Sequence, residues 1–189
     1  MSAVNDIEAI QAKWADAVVG TKEFRGEHTV SVKLGSLLDI LTHARKDLGY
    51  DLLLDVSSLD HFGQDPRFEM VYELATVDDS KHLRVKAKVG EEEEVPSATG
   101  LWSAADWHER EVYDMMGVRF SGHPNMKRIL MWEGYPFYPL RKDFPLAGRP
   151  SEMPDVAFTG VAPLEGGPFV TSPGEGDPVT REPRSREFE

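Results

Sequence analysis

The residues best suited to chemistry are concentrated in one segment, Trp107–Leu146. In it, His108 and Glu111 are three residues apart and could share a helix face. A metal site there would need His123 or Asp114 as further ligands, and the pair of histidines four apart that is typical of zinc proteases is absent. A small metalloenzyme is therefore one hypothesis. The other is a charged helix face whose acids pair with nearby arginines or with basic groups of a partner. The residues of that face are Glu109, Arg110, Glu111 and Asp114, and the candidate arginines are Arg119, Arg128 and Arg141.

Other patterns of catalytic residues are weak. Glu109 and Glu111 are two residues apart on the predicted helix, so they point away from each other and are poorly placed for acid–base work. The sequence has neither a glycine-rich phosphate loop after a strand nor a serine nucleophile elbow. It contains no cysteine, which excludes thiolate metal sites, iron–sulfur ligation and a cysteine nucleophile in this chain.

A second feature of the segment is the run Pro139–Leu146, in which two prolines frame a basic pair, an acid and two large apolar residues. Aromatic residues surround it at Tyr135, Phe137, Tyr138 and Phe144. A rigid loop with so many aromatic side chains is costly to leave in water, and arginine and aromatic residues are frequent anchors of protein interfaces. The segment therefore predicts a surface that binds another protein.

The composition limits the possible partners. The formal net charge of −12 argues against binding to nucleic acid or to an acidic membrane surface. No stretch approaches the roughly 20 apolar residues of a membrane span. The N-terminus lacks the basic start and apolar run of a secretory signal. We expect a cytoplasmic protein that reaches a membrane only through partners.

The periodicity of the first hundred residues predicts the elements that position this segment. Apolar residues at helical spacing indicate two helices, and alternating residues indicate a hairpin with Gly26 near its turn and three later strands. The predicted order is helix 5–19 with a capping box of Asn5 and Glu8, hairpin 21–34, helix 36–48, and strands 50–59, 68–77 and 83–89. This order implies an α+β fold with a mostly antiparallel sheet and helices on one side.

The rest of the chain divides into four parts. The stretch 90–96, with four consecutive glutamates, is predicted to be a solvated loop. Ser103 and Asp106 form a predicted capping box for a third helix that ends at Gly117. An irregular segment follows, and residues 1–150 are predicted to form one domain. Residues 151–189, with six prolines and five glycines, are predicted to be an extended or disordered tail.

Several ordered pieces of the segment resemble the 30 kDa subunit of respiratory complex I, which in bacteria is the C subunit of the proton-pumping NADH-quinone oxidoreductase. The pieces are the stretch 109–118, the triplet 122–124, the triplet 128–130 and the run 139–146. Many relatives carry Gly-His before the last run, where this chain has Phe137-Tyr138. The residues that match the motif, and that we predict to form a partner interface, are Glu109, Arg110, Glu111, Asp114, Gly117, His123, Pro124, Arg128, Pro139, Arg141, Lys142, Asp143, Phe144 and Pro145.

The resemblance implies a structural role in which this chain catalyses no reaction itself. Such subunits lie in the peripheral arm on the cytoplasmic side of the bacterial inner membrane. They brace the 49 kDa-type subunit that helps form the quinone pocket, and they lie near the cluster-bearing subunits. FMN, iron–sulfur clusters, NADH and quinone would all be bound by other subunits. Similar subunits occur in membrane-bound hydrogenases and in complexes fed by other donors, so an equivalent role there is the main alternative.

Overall fold

A computed structural model describes residues 3–145 of the chain, except residues 79 and 133. The helices are α1 (Ala3–Lys13), α2 (Leu37–Lys46) and α3 (Ala105–Met116), and a short 3₁₀ turn (Leu34–Ser36) precedes α2. The strands are β1 (Val18–Phe24), β2 (Glu27–Val32), β3 (Leu52–Asp60), β4 (Phe68–Ala75), β5 (His82–Val89), β6 (Glu94–Pro96) and β7 (Arg119–Ser121). The predicted tail lies outside the described residues.

The main sheet has the strand order β1-β2-β5-β4-β3. Its neighbouring strands are antiparallel except for β2 and β5, which are parallel. Side chains from all three helices join one face of this sheet in a single hydrophobic cluster. Large fully buried members of the cluster are Ile10, Leu37, Ile40, Leu41, Tyr50, Phe68, Met70, Tyr72, Leu74 and Leu83. The predicted α+β fold, with a mostly antiparallel sheet, is confirmed.

The hairpin of β1 and β2 turns at Arg25 and Gly26, which both have positive φ angles, 55° and 82°. Two consecutive residues of this kind form the turn whose twist matches that of paired strands. The predicted turn is therefore confirmed. The predicted first helix is wrong at its end, because α1 stops at Lys13 and the β-branched residues Val18 and Val19 begin β1.

Both predicted capping boxes are wrong. Asn5 lies inside α1, which already begins at Ala3. At the start of α3 the N-cap is Ala104, and it forms no side-chain cap. There the backbone N–H of Asp106 donates to the carbonyl of Ser103 at 3.3 Å, so a turn of backbone bonds replaces the expected side-chain cap.

The acidic stretch was predicted as loop, but its end forms β6, which pairs in parallel with β7. Both strands are three residues long, so their alternation was too short to detect in the sequence. Val95 and Phe120, which are register partners, point into the core. This pairing joins the chain before α3 to the chain after it. No helix in the described part of the chain is long and apolar enough to cross a membrane.

Candidate partner-binding site

The matched segment folds as α3 and the irregular chain that follows it to Lys142, called here the helix–loop unit. Gly117 ends α3 in the left-handed conformation, with φ 77°, and its N–H donates to the carbonyl of Tyr113. A Cβ atom at this position would lie 2.6 Å from Nη2 of Arg141 and 2.7 Å from the ring of Tyr138. Only glycine therefore allows both the turn and the close approach of the loop.

The loop satisfies the remaining carbonyl groups at the end of α3. Nη1 of Arg128 donates to the carbonyl of residue 114 at 3.0 Å, and the N–H of Leu140 donates to that of residue 115 at 3.1 Å. Nε of Arg141 donates to the carbonyl of residue 116 at 2.6 Å. The two guanidinium groups also lie at the negative end of the helix dipole. The loop is thus held at the helix terminus by hydrogen bonds to backbone carbonyl groups that lack an intrahelical partner at the end of any α-helix.

Asp114 is the centre of this arrangement and is fully buried. Its Oδ2 accepts the backbone N–H groups of residues 129, 130 and 131 at 2.9, 2.7 and 3.0 Å, and its Oδ1 lies 2.6 Å from Nη1 of Arg128. Burial alone would raise the pKa of this carboxyl, but the three N–H groups and the guanidinium outweigh it and lower the pKa. The carboxylate therefore stays charged and holds the loop in one conformation.

Arg128 joins that carboxylate to the aromatic residues of the loop. Its Nη2 donates to the carbonyl of Phe137 at 3.2 Å. The guanidinium carbon lies 5.9 Å from the ring of Tyr113, 5.8 Å from Tyr135 and 5.1 Å from Tyr138. These distances are typical of cation–π contacts. Tyr135 and Tyr138, two of the aromatic residues that appeared in the sequence as a costly surface, are therefore half-buried around one internal cation.

Glu109 is the second buried acid of α3. Its Oε1 accepts the N–H of Ala98 and its Oε2 accepts the hydroxyl of Ser97, both at 2.7 Å. Burial raises the pKa of Glu109, although these two hydrogen bonds oppose the change. The predicted charged surface face is therefore wrong for Glu109 and Asp114, because both side chains are internal and bond to the chain on either side of the helix.

His123 also lies inside the unit, with a fully buried side chain. Its Nδ1 accepts the N–H of Asn125 at 3.0 Å, so the ring proton is on Nε2. That nitrogen donates to the carbonyl of Asp106 at 3.2 Å and lies 4.0 Å from Oε2 of Glu109. Both ring nitrogens are thus used to fix the turn after β7 against the start of α3.

The end of the loop is anchored to the main sheet. The N–H of Lys142 donates to Oδ2 of Asp60 at 2.8 Å, and Asp60 also accepts both Nε and Nη2 of Arg67 at 2.8 Å. The hydrogen bonds from Arg67 are the largest cause of the lowered pKa of Asp60. Arg141 stacks 5.1 Å from the ring of Phe68 on β4. The sequence contained no signal for this anchor, because Asp60 and Arg67 lie far from the segment along the chain.

The predicted metal ligands do not come together. Nδ1 of His108 lies 3.2 Å from Oδ1 of Asp55 on β3. Glu111 is exposed to solvent, and His123 and Asp114 are occupied as described above. Within the described ranges no three His, Cys, Asp or Glu side chains are grouped so that they could hold a metal ion. The three-residue site proposed for a metalloenzyme is therefore not formed.

The predicted arginine pairs are confirmed only in part. Arg128 pairs with Asp114 as expected. Arg119 instead lies 3.4 Å from Glu92 in the acidic stretch, and Arg141 bonds to a backbone carbonyl. The remaining motif side chains lie nearer the surface. Pro124, Lys142 and Asp143 are exposed, and Arg110, Pro139, Phe144 and Pro145 are half-buried.

The unit presents large apolar side chains to solvent in addition to charged ones such as Glu111 and Lys142. Large hydrophobic side chains are exposed on α3 and along the loop, with exposed fractions of 42–62%. These side chains are Trp107, Leu130, Trp132 and Leu140. Exposed apolar groups on a rigid, internally satisfied support are typical of surfaces that bind proteins. The fold and the site therefore define an α+β domain with the surface features of a protein-binding domain.

Comparisons with known proteins give the family. Residues 30–150 match the family described as the respiratory-chain NADH dehydrogenase 30 kDa subunit. The chain belongs to this family, and the resemblance stated from the motif is confirmed. The match begins within the hairpin and includes the whole helix–loop unit.

Two relatives are similar over most of their own length. The chain is 46% identical to the C subunit of the NADH-quinone oxidoreductase of Citrifermentans bemidjiense, over 76% of this chain and 89% of that one. It is 45% identical to the corresponding protein of Geobacter metallireducens, over 74% of this chain and 87% of that one. A solved structure of the membrane-bound sulfane sulfur reductase, an archaeal respiratory membrane complex, contains a chain with TM-score 0.66 and 25% identity. That match covers 76% of this chain and 86% of the other.

Proposed function

We propose that this chain is a non-catalytic structural subunit in the peripheral arm of an NADH-quinone oxidoreductase. In this role it braces the 49 kDa-type subunit that helps form the quinone pocket, and it lies near the cluster-bearing subunits. One observation carries the proposal. Polar motif side chains are engaged internally, by groups of the helix–loop unit for Asp114, His123, Arg128 and Arg141 and by the chain before α3 for Glu109.

This internal use of the motif supports a scaffolding role over a reactive one. A catalytic acid or base must reach a substrate, whereas Glu109 and Asp114 are both fully buried and bonded to backbone groups. A support whose conformation is already determined loses little entropy when a partner binds it. The same contacts that remove these residues from chemistry therefore favour tight assembly.

Under the proposal, other subunits bind the cofactors and contact the membrane. FMN, the iron–sulfur clusters, NADH and quinone would be bound elsewhere in the complex, in agreement with the lack of cysteine in this chain. The chain would lie on the cytoplasmic side of the inner membrane and touch the membrane only through its partners. It would contribute to electron transfer from NADH to quinone only as part of the complex.

A second candidate is an equivalent subunit of a related membrane complex with another electron donor. The observation that favours it is the structural similarity to a chain of the membrane-bound sulfane sulfur reductase complex. The two candidates differ in their neighbours rather than in this chain. A large nickel-binding subunit, for example, would replace the quinone-site subunit in a hydrogenase.

The test is complementation of a deletion strain with the full chain carrying an affinity tag. Under the proposal, deletion abolishes NADH:quinone activity in membranes, the tagged chain restores it, and mass spectrometry of the purified complex identifies the 49 kDa-type and cluster-bearing subunits. Normal activity and a complete complex without the chain would overturn the proposal. Recovery with a nickel-binding or sulfur-reducing subunit would establish the second candidate instead.

A further inference from the structure

We infer that the partner subunit is bound by the exposed apolar side chains of the helix–loop unit, and that it presents an apolar patch bordered by carboxylates. The residues of this docking surface are Trp107, Leu130, Trp132 and Leu140. The inference rests on the proposed function. It assigns the contact with the partner to these four side chains, because the motif acids Glu109 and Asp114 are buried.

Three of the four residues are held in place by contacts at or near the end of α3. The N–H of Leu130 donates to Oδ2 of Asp114 at 2.7 Å, and the N–H of Leu140 donates to the carbonyl of residue 115 at 3.1 Å. The ring of Trp132 packs edge-on against Tyr135 at 5.6 Å, and Tyr135 in turn contacts Arg128. The surface is therefore preorganised, which reduces the entropy lost on binding.

Trp107 belongs to the same surface through its position on α3. It lies three and seven residues before Arg110 and Asp114, so the three share one helix face. The guanidinium of Arg110 lies 4.8 Å from the Trp107 ring, and its Nε donates to the carbonyl of Lys127 at 3.0 Å. Trp107 is 62% exposed even so, which leaves most of an aromatic ring available to a partner.

Two cationic residues, Arg110 and Lys127, lie at the Trp107 end of this docking surface. Arg110 lies beside Trp107 and donates to the backbone carbonyl of Lys127, whose side chain is exposed. Neither cation has an ion-pair partner among the residues that the structure describes. Of the acids of α3, Glu109 and Asp114 are buried, whereas Glu111 is exposed. In a chain of net charge −12, these two cations without an ion-pair partner form a short basic border at the Trp107 end of the surface, which fits carboxylates on the partner.

Tryptophan, leucine and lysine also occur on surfaces that bind anionic lipid. The net charge of −12 argues for a protein here, because an anionic bilayer would repel the rest of the chain. Membership in a family of multi-subunit complexes supplies a protein partner. A lipid surface is treated below as an outcome of the test.

The experiment titrates the purified full chain against the complex lacking it, using Trp107→Ser, Leu130→Ser and Trp132→Ser. Matched controls are Val19→Ser, Phe24→Ser and Val77→Ser, which remove apolar side chains with exposed fractions of 58–70% outside the unit. We expect the Kd of each tryptophan variant to rise about 30-fold, as for a hot-spot residue. The controls should stay within about twofold of wild type, and thermal unfolding should show all variants folded.

Wild-type affinity in all three folded surface variants would overturn the inference while leaving the proposed function in place. Failure of the wild-type chain to bind the complex would instead refute the proposed function. Lys127→Glu tests the basic border, and we expect weaker binding whose difference from wild type shrinks at high salt. If the surface variants lose only binding to phosphatidylglycerol vesicles and keep their affinity for the complex, the surface is a lipid site and the inference is wrong.

Discussion

Asp114 and Arg128 are joined by an ion pair of 2.6 Å in which the carboxylate is fully buried and also accepts three consecutive backbone N–H groups. The pair fixes the loop at residues 129–131 and the end of α3 with one set of contacts. Its energetic importance comes from burial, because a buried charge that loses its partner is left uncompensated. The pair therefore fixes the part of the loop that carries Leu130 of the proposed docking surface.

Replacing the carboxylate at this position should destabilise the chain strongly. We expect Asp114→Asn to lower the free energy of unfolding by about 3–5 kcal/mol, because Arg128 loses its counter-charge inside the protein. Urea unfolding of the full chain measures the effect. Glu111→Gln, which removes an exposed carboxylate from the same helix, should change stability by less than about 0.5 kcal/mol. Equal effects of the two substitutions would contradict the assigned role.

The same variant has a defined pH dependence. The pKa of Asp114 is lowered in the folded chain, so its contribution to stability is present above the unfolded pKa of about 3.9 and is lost as pH falls through the folded pKa. The stability difference between wild type and Asp114→Asn should therefore be constant near neutral pH and shrink below about pH 4. A difference that grew on acidification would show that the carboxylate is not stabilised as described.

Gly117 permits a second matched comparison. Gly117→Ala should be destabilising for two reasons, the positive φ of 77° and the collision of the new Cβ with Arg141 and Tyr138. Gly122 has the same φ, but nothing lies within 4 Å of the position that a Cβ would take there. Gly122→Ala should therefore cost only the backbone strain of about 1 kcal/mol, and Gly117→Ala clearly more. Thermal unfolding measures both, and removal of the Tyr138 ring in the Gly117→Ala background should recover part of the excess.

Much of the fold could be predicted from sequence because its elements are long and periodic. Strands β4 and β5 alternate over eight residues, α2 carries a helical stripe of apolar residues, and β3 is rich in leucine and valine. Strands β6 and β7, with three residues each, carry no such pattern. The end of α1 was missed because Val18 and Val19 continue its apolar spacing, while their pairing with β2 is a tertiary effect.

The candidate site could be located from the sequence but not understood from it. The motif marks the segment that folds as the helix–loop unit, and Gly117 is the helix end as predicted. The direction of each side chain was not predictable. A helical sequence with an acidic residue is the same whether its carboxylate faces water or accepts hydrogen bonds from buried N–H groups. Asp114 is buried only because residues 129–131 return to it, and that return depends on Arg128 and Leu140 bonding to the helix terminus.

Glu109 should behave in the opposite way to Asp114. Burial raises its pKa in the folded chain, so its contribution to stability is fully present below the unfolded pKa and is lost as pH rises through the folded pKa. Glu109→Gln keeps the shape and the acceptor for Ala98 but cannot ionise. We expect the stability of the variant to change less than that of wild type as pH rises from about 4 to 8. Urea midpoints across that range provide the measurement, and parallel curves would contradict the assignment.

Arg141 tests how far stability of the unit controls assembly. Arg141→Ala removes the donor to the last carbonyl of α3 and the stacking on Phe68 and Tyr138. We expect a loss of about 1–3 kcal/mol in unfolding free energy together with less assembled complex on a native gel, because Leu140 beside it is part of the docking surface. Arg119→Ala is the control, since its partner Glu92 is 95% exposed and such surface pairs contribute about 0–1 kcal/mol. Full assembly of Arg141→Ala despite a measured loss of stability would separate the two properties and show that this end of the loop does not shape the surface.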